Sequence, residues 1–450
     1  MRNILRFFAT GSDQPLLTDH EKIDSTYRRD RISVMLSITL GYGIYYTCRL
    51  GMSVVKKPLI DGGIFTAEEL GMIGSALFYT YAFGRLVNGF LADHSNVKKF
   101  FPLGLLLSAV INLIMGSTTL FWAWVILWGL NGWFQGFGSP SSVVALSHWF
   151  SNRERGRYYG IWSTAHSIGE GLTFIVSASL VTVWGWQGGF IGPGFFCIVA
   201  AVVLYYTLRD RPATYGLPEI ADWKNDHGTS MAQKDKQKLS ITRTQFLILK
   251  LRPIWILGFA CAMMSATRYA INSWGILYLQ EEKGYSLMEA GSILGLNTLA
   301  GIAGCTAYGF ISDKLFAARR PPVTLGFGIM EVISLIIIFY TPPGHPVILT
   351  LAFVLYGFSL PGILAALGGL FAIDIAPKKV AGAAMGFIGI FSYLGAAIQE
   401  RTSGYLIQQG ITMLDGVRQY DFSKAIIFWI GCSIISLILA TTLWKVKIAE

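Results

Sequence analysis

The chain has 450 residues, 53% of them hydrophobic and 14% charged, with a formal net charge of +10 and a mean hydropathy of +0.51. That balance excludes a soluble globular domain and makes the bilayer the expected solvent. The positive charge reads as basic loops lying against anionic lipid headgroups, not as a nucleic-acid surface, because no large basic domain stands outside the apolar runs.

In chain order, the polar segment 1–31 is expected to be a cytoplasmic tail, and it lacks the pattern of a cleavable signal. Apolar runs of about 20 residues then recur between short polar or Gly/Pro-rich turns. They predict about twelve spans, near 32–56, 69–92, 99–119, 121–146, 157–182, 188–208, 253–279, 286–312, 322–341, 346–373, 380–407 and 423–444. Residues 209–252, rich in charge and broken by proline and glycine, form a cytoplasmic linker between a first half (32–208) and a second (253–444); 445–450 is a short tail. The fold class is an all-α membrane protein, with 50 scattered glycines suited to close helix packing in lipid. Lys and Arg collect in alternate loops, including Lys378 and Lys379 before span 11, which places both termini in the cytoplasm by the positive-inside rule. The cysteines Cys48, Cys197, Cys261, Cys305 and Cys432 fall inside predicted spans with no metal-type spacing and read as small apolar residues.

The halves repeat each other. "GFLADHSNVKK" from Gly89 returns as "GFISDKLFAARR" from Gly309, so Asp93 and Asp313 are 220 residues apart, while Arg49 and Arg268 are 219 apart and Pro140 and Pro361 221. Parallel six-span halves with a site between them near mid-bilayer are the layout of the major facilitator superfamily. The Gly-x-x-x-Asp loop after spans 2 and 8, with basic residues beyond, resembles that superfamily's loop signature. Asp93, Lys98, Asp313 and Lys314 are therefore expected to act in gating and helix-end contacts.

Arg49 lies well inside span 1, where a guanidinium is charged at any reachable pH and costs a few kcal/mol to hold. Tyr42, Tyr46, Arg49, Ser53 and Lys56 share one helical face. Similar inward stripes carry Tyr81, Arg85 and Asn88 in span 2, Trp162, His166, Gly169 and Thr173 in span 5, and Met264, Arg268 and Asn272 in span 7. With few acids in the same spans, these amount to an unfilled anion site; two arginines from opposing halves offer paired donors to phosphate oxygens. An ion pair with a buried acid is the alternative for the arginines, and for His166 the alternative is a packing histidine paired with Glu170 one turn later. Glu170, Glu331 and Glu400 are expected to be structural partners. Asn88, Asn272, Ser392 and Tyr393 are sugar-side candidates.

"GYGIYYTCR", "QGFGSP", "RERGRYYGIWSTAHSIGE", "LRDRPATYGLP", "TRYAINSWG" and "PKKVAGAAMGFIGIFSYLG" together resemble the organophosphate:phosphate antiporter family of that superfamily, in its hexose-phosphate sensor and transporter branch. The resemblance implies exchange of a hexose 6-phosphate, glucose 6-phosphate first, for inorganic phosphate by alternating access, in a bacterial inner membrane, by a monomer with no cofactor and no metal. It places the substrate at Arg49, Arg268, Arg85, His166, Tyr42, Tyr46 and Tyr81. A sugar-phosphate receptor signalling to a sensor histidine kinase is the rival, and a glycerol 3-phosphate:phosphate antiporter a second alternative. No P-loop, HExxH, CxxC or nucleophile-elbow motif points to an enzyme.

This chain departs from the family where it has Leu50, Ser273 and Thr298 in place of a Lys, an Asp and an acid. The loss of one cation and two anions predicts a site with fewer protein counter-charges for Arg49 and Arg268. Met385 and Ile388 stand where the hexose-phosphate transporter has a charged pair, so sugar preference does not follow from it.

Overall fold

The computed structural model describes residues 9–226, 251–316, 319–375, 381–415 and 417–444. The linker stretch 227–250, the tail 445–450, residues 1–8, and Lys378 and Lys379 lie outside them. Every predicted span is helical. Span 1 is two helices, His20–Tyr45 and Thr47–Asp61; spans 2 and 3 are Ala67–Asp93 and Val97–Met115; span 4 is again two, Phe121–Gln135 and Gly138–Trp149. Spans 5 and 6 run through Asn152–Thr207 with a kink at Gly185, whose φ of 68° suits glycine. Spans 7, 8 and 9 are Arg252–Glu281, Leu287–Lys314 and Arg320–Tyr340. Span 10 is Pro346–Ala365, prolonged by a π turn, Ala366–Leu370, and by Phe371–Ile375. A two-stranded hairpin, β1 Ile411–Leu414 and β2 Val417–Tyr420, joins span 11, Ala381–Gln409, to span 12, Ser423–Thr442.

Among the described residues, seven helices are long and apolar enough to cross a membrane on length and composition alone. Spans 1, 2, 4 and 11 fall outside that set because they are broken or carry the polar stripes of the interior. The two halves meet along spans 2 and 11 and along spans 5 and 8. Small residues let the backbones touch there: a Cβ on Gly71 would lie 2.9 Å from the Gly404 Cα, and one on Gly171 3.0 Å from the Gly295 carbonyl oxygen.

The break in span 1 has a local cause. The Arg49 N–H donates to the Tyr46 carbonyl at 3.0 Å, and Gln135 Nε2 donates to the Tyr45 carbonyl at 3.1 Å. Asn131 and Asn112 donate to the Cys48 carbonyl at 2.8 and 3.0 Å. Side-chain amides from spans 3 and 4 thus satisfy backbone oxygens where the helix breaks, as a kinked helix in lipid requires. The bend sits immediately before Arg49.

The end of the bundle that carries the linker is built differently from the sequence expectation. Span 1's first helix starts at His20, capped by the Asp19 side chain, so much of the segment read as a tail is helix. Several cations assigned to lipid headgroups are spent inside a folded cap: Arg31 pairs with Glu154 at 2.5 Å, Arg153 with Asp226 at 3.3 Å, Arg209 with Asp30 at 3.5 Å and Arg211 with Asp13 at 2.7 Å. Trp223 stacks on Tyr27 at 4.4 Å, and buried Asp210 accepts from the Val97 and Gly11 N–H groups, both at 3.3 Å. Burial raises the Asp210 carboxyl above its ordinary pKa, and these backbone donors oppose the rise.

At the opposite, distal end, polar contacts bind the halves together. Lys57 pairs with Glu281, Arg401 with Glu68 at 3.2 Å, and Arg418 of the hairpin donates to the Ile60 carbonyl. The inter-half hydrogen bonds among the described residues lie at mid-membrane or at this end. Asp313 accepts from Arg320 at 2.7 Å and Lys98 lies 5.7 Å from the Tyr205 ring centroid, each within its own half, while Asp93 is exposed. The bundle is closed distally and open toward the linker.

Candidate anion site between the halves

A cavity of about 390 Å³ occupies the open side. Its charged lining groups among the described residues are Arg85 from span 2 and Arg268 from span 7, and Tyr393 from span 11 is part of the same wall. Arg85 Nη1 donates to the Tyr393 hydroxyl at 3.4 Å and has no carboxylate partner among the described residues.

Arg268 is held on one side by span 5. Its Nη2 donates to Glu170 Oε2 at 2.9 Å and contacts His166 Nε2; His166 Nε2 is 3.4 Å from the same carboxylate oxygen. Asn272, one turn after Arg268, donates to the other oxygen of Glu170. The site is therefore not unfilled as its stripes suggested: Glu170 supplies Arg268 with a counter-charge, because the i, i+4 step from His166 puts both side chains on the face toward span 7. Asn272, read as a sugar contact, orients that acid.

Arg49 has a different setting. It is 6% exposed, and its guanidinium carbon lies 4.5 Å from the Tyr81 ring centroid, 5.6 Å from Tyr46, 5.7 Å from Phe78, 5.9 Å from Tyr393 and 6.0 Å from Tyr269. Its Nη2 donates to the Tyr269 hydroxyl at 3.3 Å. No carboxylate reaches it among the described residues. Tyr46 also meets the His166 ring edge-on at 5.3 Å, and Tyr42 packs on Tyr46 and Trp162. The predicted tyrosines thus build an aromatic wall that connects Arg49 to the Arg268 cluster.

Asn88 is the correction in this set. Its Nδ2 donates to the Trp133 carbonyl at 2.9 Å, which ties span 2 to span 4 away from the cavity; one turn beyond Arg85 the helix face has turned onto its neighbour. Tyr269 and Phe78 were missed. Tyr269 follows Arg268 directly, and its i, i+3 partner is Asn272, a signal available in the sequence.

The expected loss of the family's ion-pair network is also corrected. Lys56, 0% exposed, donates to Glu400 Oε1 and to the Ser273 hydroxyl, both at 2.6 Å, and Ser273 donates to the same carboxylate oxygen at 2.7 Å. A cation and an acid elsewhere on the interior faces meet at Ser273, one of the three departing positions. Leu50 is buried packing, and Thr298 returns its hydroxyl to the Leu294 carbonyl at 3.0 Å. Because Lys56 and Glu400 cancel, three guanidiniums face one carboxylate around the site, an excess of two positive charges before His166 is counted.

Comparison with known proteins agrees with this architecture. Residues 33–399 match the Major Facilitator Superfamily. The chain is 34% identical to the Membrane sensor protein UhpC of Salmonella typhimurium over 88% of this chain and 89% of that one. It is 30% identical to a probable hexose phosphate transport protein of Chlamydia trachomatis over 95% and 94%. Among solved structures, a bacterial homolog to the human lysosomal transporter Spinster superposes with a TM-score of 0.74 at 16% identity, covering 94% of this chain and 99% of that one. This chain belongs to the major facilitator superfamily, among its organophosphate transporters.

Proposed function

We propose that the protein exchanges a hexose 6-phosphate, glucose 6-phosphate first, for inorganic phosphate by alternating access across a bacterial inner membrane, with both termini in the cytoplasm. The observation that carries this reading is the excess of guanidinium over carboxylate between the halves: Arg85 from one half and Arg268 from the other line the cavity, and Arg49 stands beside it, against the Tyr269 and Tyr393 rings of its wall. A phosphate monoester carries charge of the right size to cancel it. The relative from Chlamydia trachomatis bears the name of a hexose phosphate transport protein, which supports the same substrate class.

Bound phosphate neutralises the site and draws Arg49 and Arg85 toward Arg268. The linker-end loops at Asp93 and Lys98, and at Asp313 and Lys314, then close over the cavity. The distal contacts Lys56–Glu400 and Lys57–Glu281 part as the halves rock. An empty site keeps its repulsion, so return without an anion is slow and the result is exchange, not leak. No step requires a cofactor, a metal or catalytic chemistry.

The test is uptake of radiolabelled glucose 6-phosphate into proteoliposomes preloaded with phosphate, beside empty vesicles and an Arg268→Lys control. Uptake that needs internal phosphate and disappears in the control is the expected result; efflux into substrate-free buffer as fast as exchange would sink the mechanism. A receptor signalling to a histidine kinase is the second reading, favoured by the relative named a membrane sensor protein. Ligand binding with no counterflow would select it.

A further inference from the structure

A second cavity, of about 490 Å³, lies on the outer side of the first half, between spans 5 and 6 with span 1 as its floor. Its volume falls in the range of small-molecule sites, roughly 300–1,000 Å³. The floor is sealed where spans 1 and 5 touch: a Cβ on Gly169 would collide with the Gly43 backbone. His166 and Glu170, on either side of Gly169, point the other way, toward Arg268. The rim, by contrast, is apolar and exposed, with Leu40, Leu172, Val176 and Phe196 facing the bilayer.

The cavity is one part of a longer slot. A neighbouring cavity of about 260 Å³, between spans 1 and 6, shares Leu40 and Ile44 with it and reaches Ser33 and Thr207 at the linker end. From Ser33 to Thr47 the two follow span 1 for about 21 Å. One leaflet of hydrocarbon is about 15 Å deep, half the bilayer core. At the distal end spans 5 and 6 pinch together, where a Cβ on Gly188 would lie 2.6 Å from the Leu180 carbonyl oxygen. The slot is thus a blind apolar channel that opens toward the linker-end surface.

Its open end is polar and positive. Exposed Tyr205 and Tyr206 mark the membrane interface. Beside them Ser33 donates to the Thr207 carbonyl at 2.7 Å and Ser37 to the Thr207 hydroxyl at 3.0 Å. One turn before Ser33, exposed Arg29 donates to Asp30 Oδ1 at 3.0 Å, and Arg209 lies 3.5 Å from the same oxygen. Two guanidiniums share one carboxylate there, which leaves a positive charge at the level of the headgroups.

We propose that this slot binds an anionic phospholipid of the linker-end leaflet, with one acyl chain along span 1 and the phosphate at Arg29 and Arg209. The site is separate from the anion site between the halves and does not depend on what that site transports. The lipid packs behind spans 1 and 5, whose opposite faces carry Arg49 and the His166–Glu170 pair.

The test titrates the purified, delipidated full chain with dioleoyl phosphatidylglycerol or dioleoyl phosphatidylcholine and reads Kd by native mass spectrometry. The parent is expected to prefer phosphatidylglycerol by about fivefold, the worth of one basic side chain beside an anionic headgroup. Arg29→Gln leaves Arg209 alone with Asp30 and should abolish that preference. Val176→Trp fills the slot and should weaken both lipids, whereas Val199→Trp, on the exposed face of span 6 outside the slot, should weaken neither. Ile168→Trp repeats the filling should Val176→Trp fail to fold. Equal affinity of the parent for the two lipids, or slot-filling variants that bind as Val199→Trp does, overturns the proposal. A delipidated parent that runs as a dimer and takes up no lipid also overturns it, and makes a second copy of the chain the occupant.

Discussion

Arg49 and Arg268 occupy equivalent positions in the two repeats, yet their charges are held in opposite ways. Arg268 is held by a carboxylate and a histidine; Arg49 by ring faces and one phenol hydroxyl. A carboxylate partner returns the cost of burying a cation but leaves an equally expensive anion if the cation departs. Ring faces offer about 2 kcal/mol each when desolvated, and they carry no charge to strand. The aromatic arrangement lets Arg49 leave its cage for an anion without stranding a buried carboxylate, while Arg268 is the fixed post. Lys56, paired with Glu400 at the distal side, belongs with Arg268 in this comparison.

The largest effect should therefore come at Arg268. Arg268→Gln loses substrate affinity, about 2–5 kcal/mol or roughly 30- to 5,000-fold, and also strands Glu170, costing about 3–5 kcal/mol of stability. Thermal unfolding in detergent should show the second loss, and adding Glu170→Gln should recover stability without recovering exchange. Stability that stays low in the double variant would show that Glu170 is not what Arg268 neutralises.

Lys56 comes next. Lys56→Met strands Glu400 in the distally closed state, a penalty of about 3–5 kcal/mol on that state alone. The distal end should open and the linker-end cavity close, so labelling of Cys261 by a maleimide from the linker side should fall relative to the parent, with Cys261→Ser as the blank. Lys56→Met combined with Glu400→Met should restore it. Unchanged labelling in the single variant would remove the pair from any role in setting the state.

Arg49→Gln sharpens the contrast. Affinity is again expected to fall by about 2–5 kcal/mol, but with no acid left behind the unfolding temperature should stay near that of the parent. A drop as large as that of Arg268→Gln would mean that the cage depends on the cation as much as the cation on the cage.

The pattern of what could be read in the sequence follows from the same physics. Arg49, Arg85, Arg268 and His166 were legible because a cation in an apolar run is expensive enough to stand out, and the repeat gave the two arginines equal registers. Glu170 and Glu400 were visible as buried acids, but their partners were not: which carboxylate meets which cation depends on the rotation of spans 5 and 11 against spans 1 and 7, and helical periodicity fixes a face without fixing what it faces. The Lys56–Glu400 pair escaped for that reason, since both residues lie away from the positions where the family keeps its charges. The linker-end cap escaped for another: Arg31, Arg153, Arg209 and Arg211 obey the positive-inside pattern whether they meet lipid or Asp and Glu, so charge counting cannot separate the two. Asn88 shows the converse failure, a polar residue on the right stripe that spends its amide on a neighbouring backbone.

The smallest change tests the cage atom by atom. Tyr269→Phe removes the hydroxyl that accepts from Arg49 at 3.3 Å and leaves the ring that packs on Phe78 at 4.6 Å. In the empty site that hydroxyl competes with an arriving anion for the same Nη2 donor. Deleting it costs the empty state a bond to a charged group, worth about 1.5 kcal/mol in full and less where water replaces part of it, so phosphate Kd should fall by about threefold. Phosphate binding that weakens instead would mean that the phenol stays in place as a ligand beside Arg49, and that the cage closes around the anion and does not open to release the arginine.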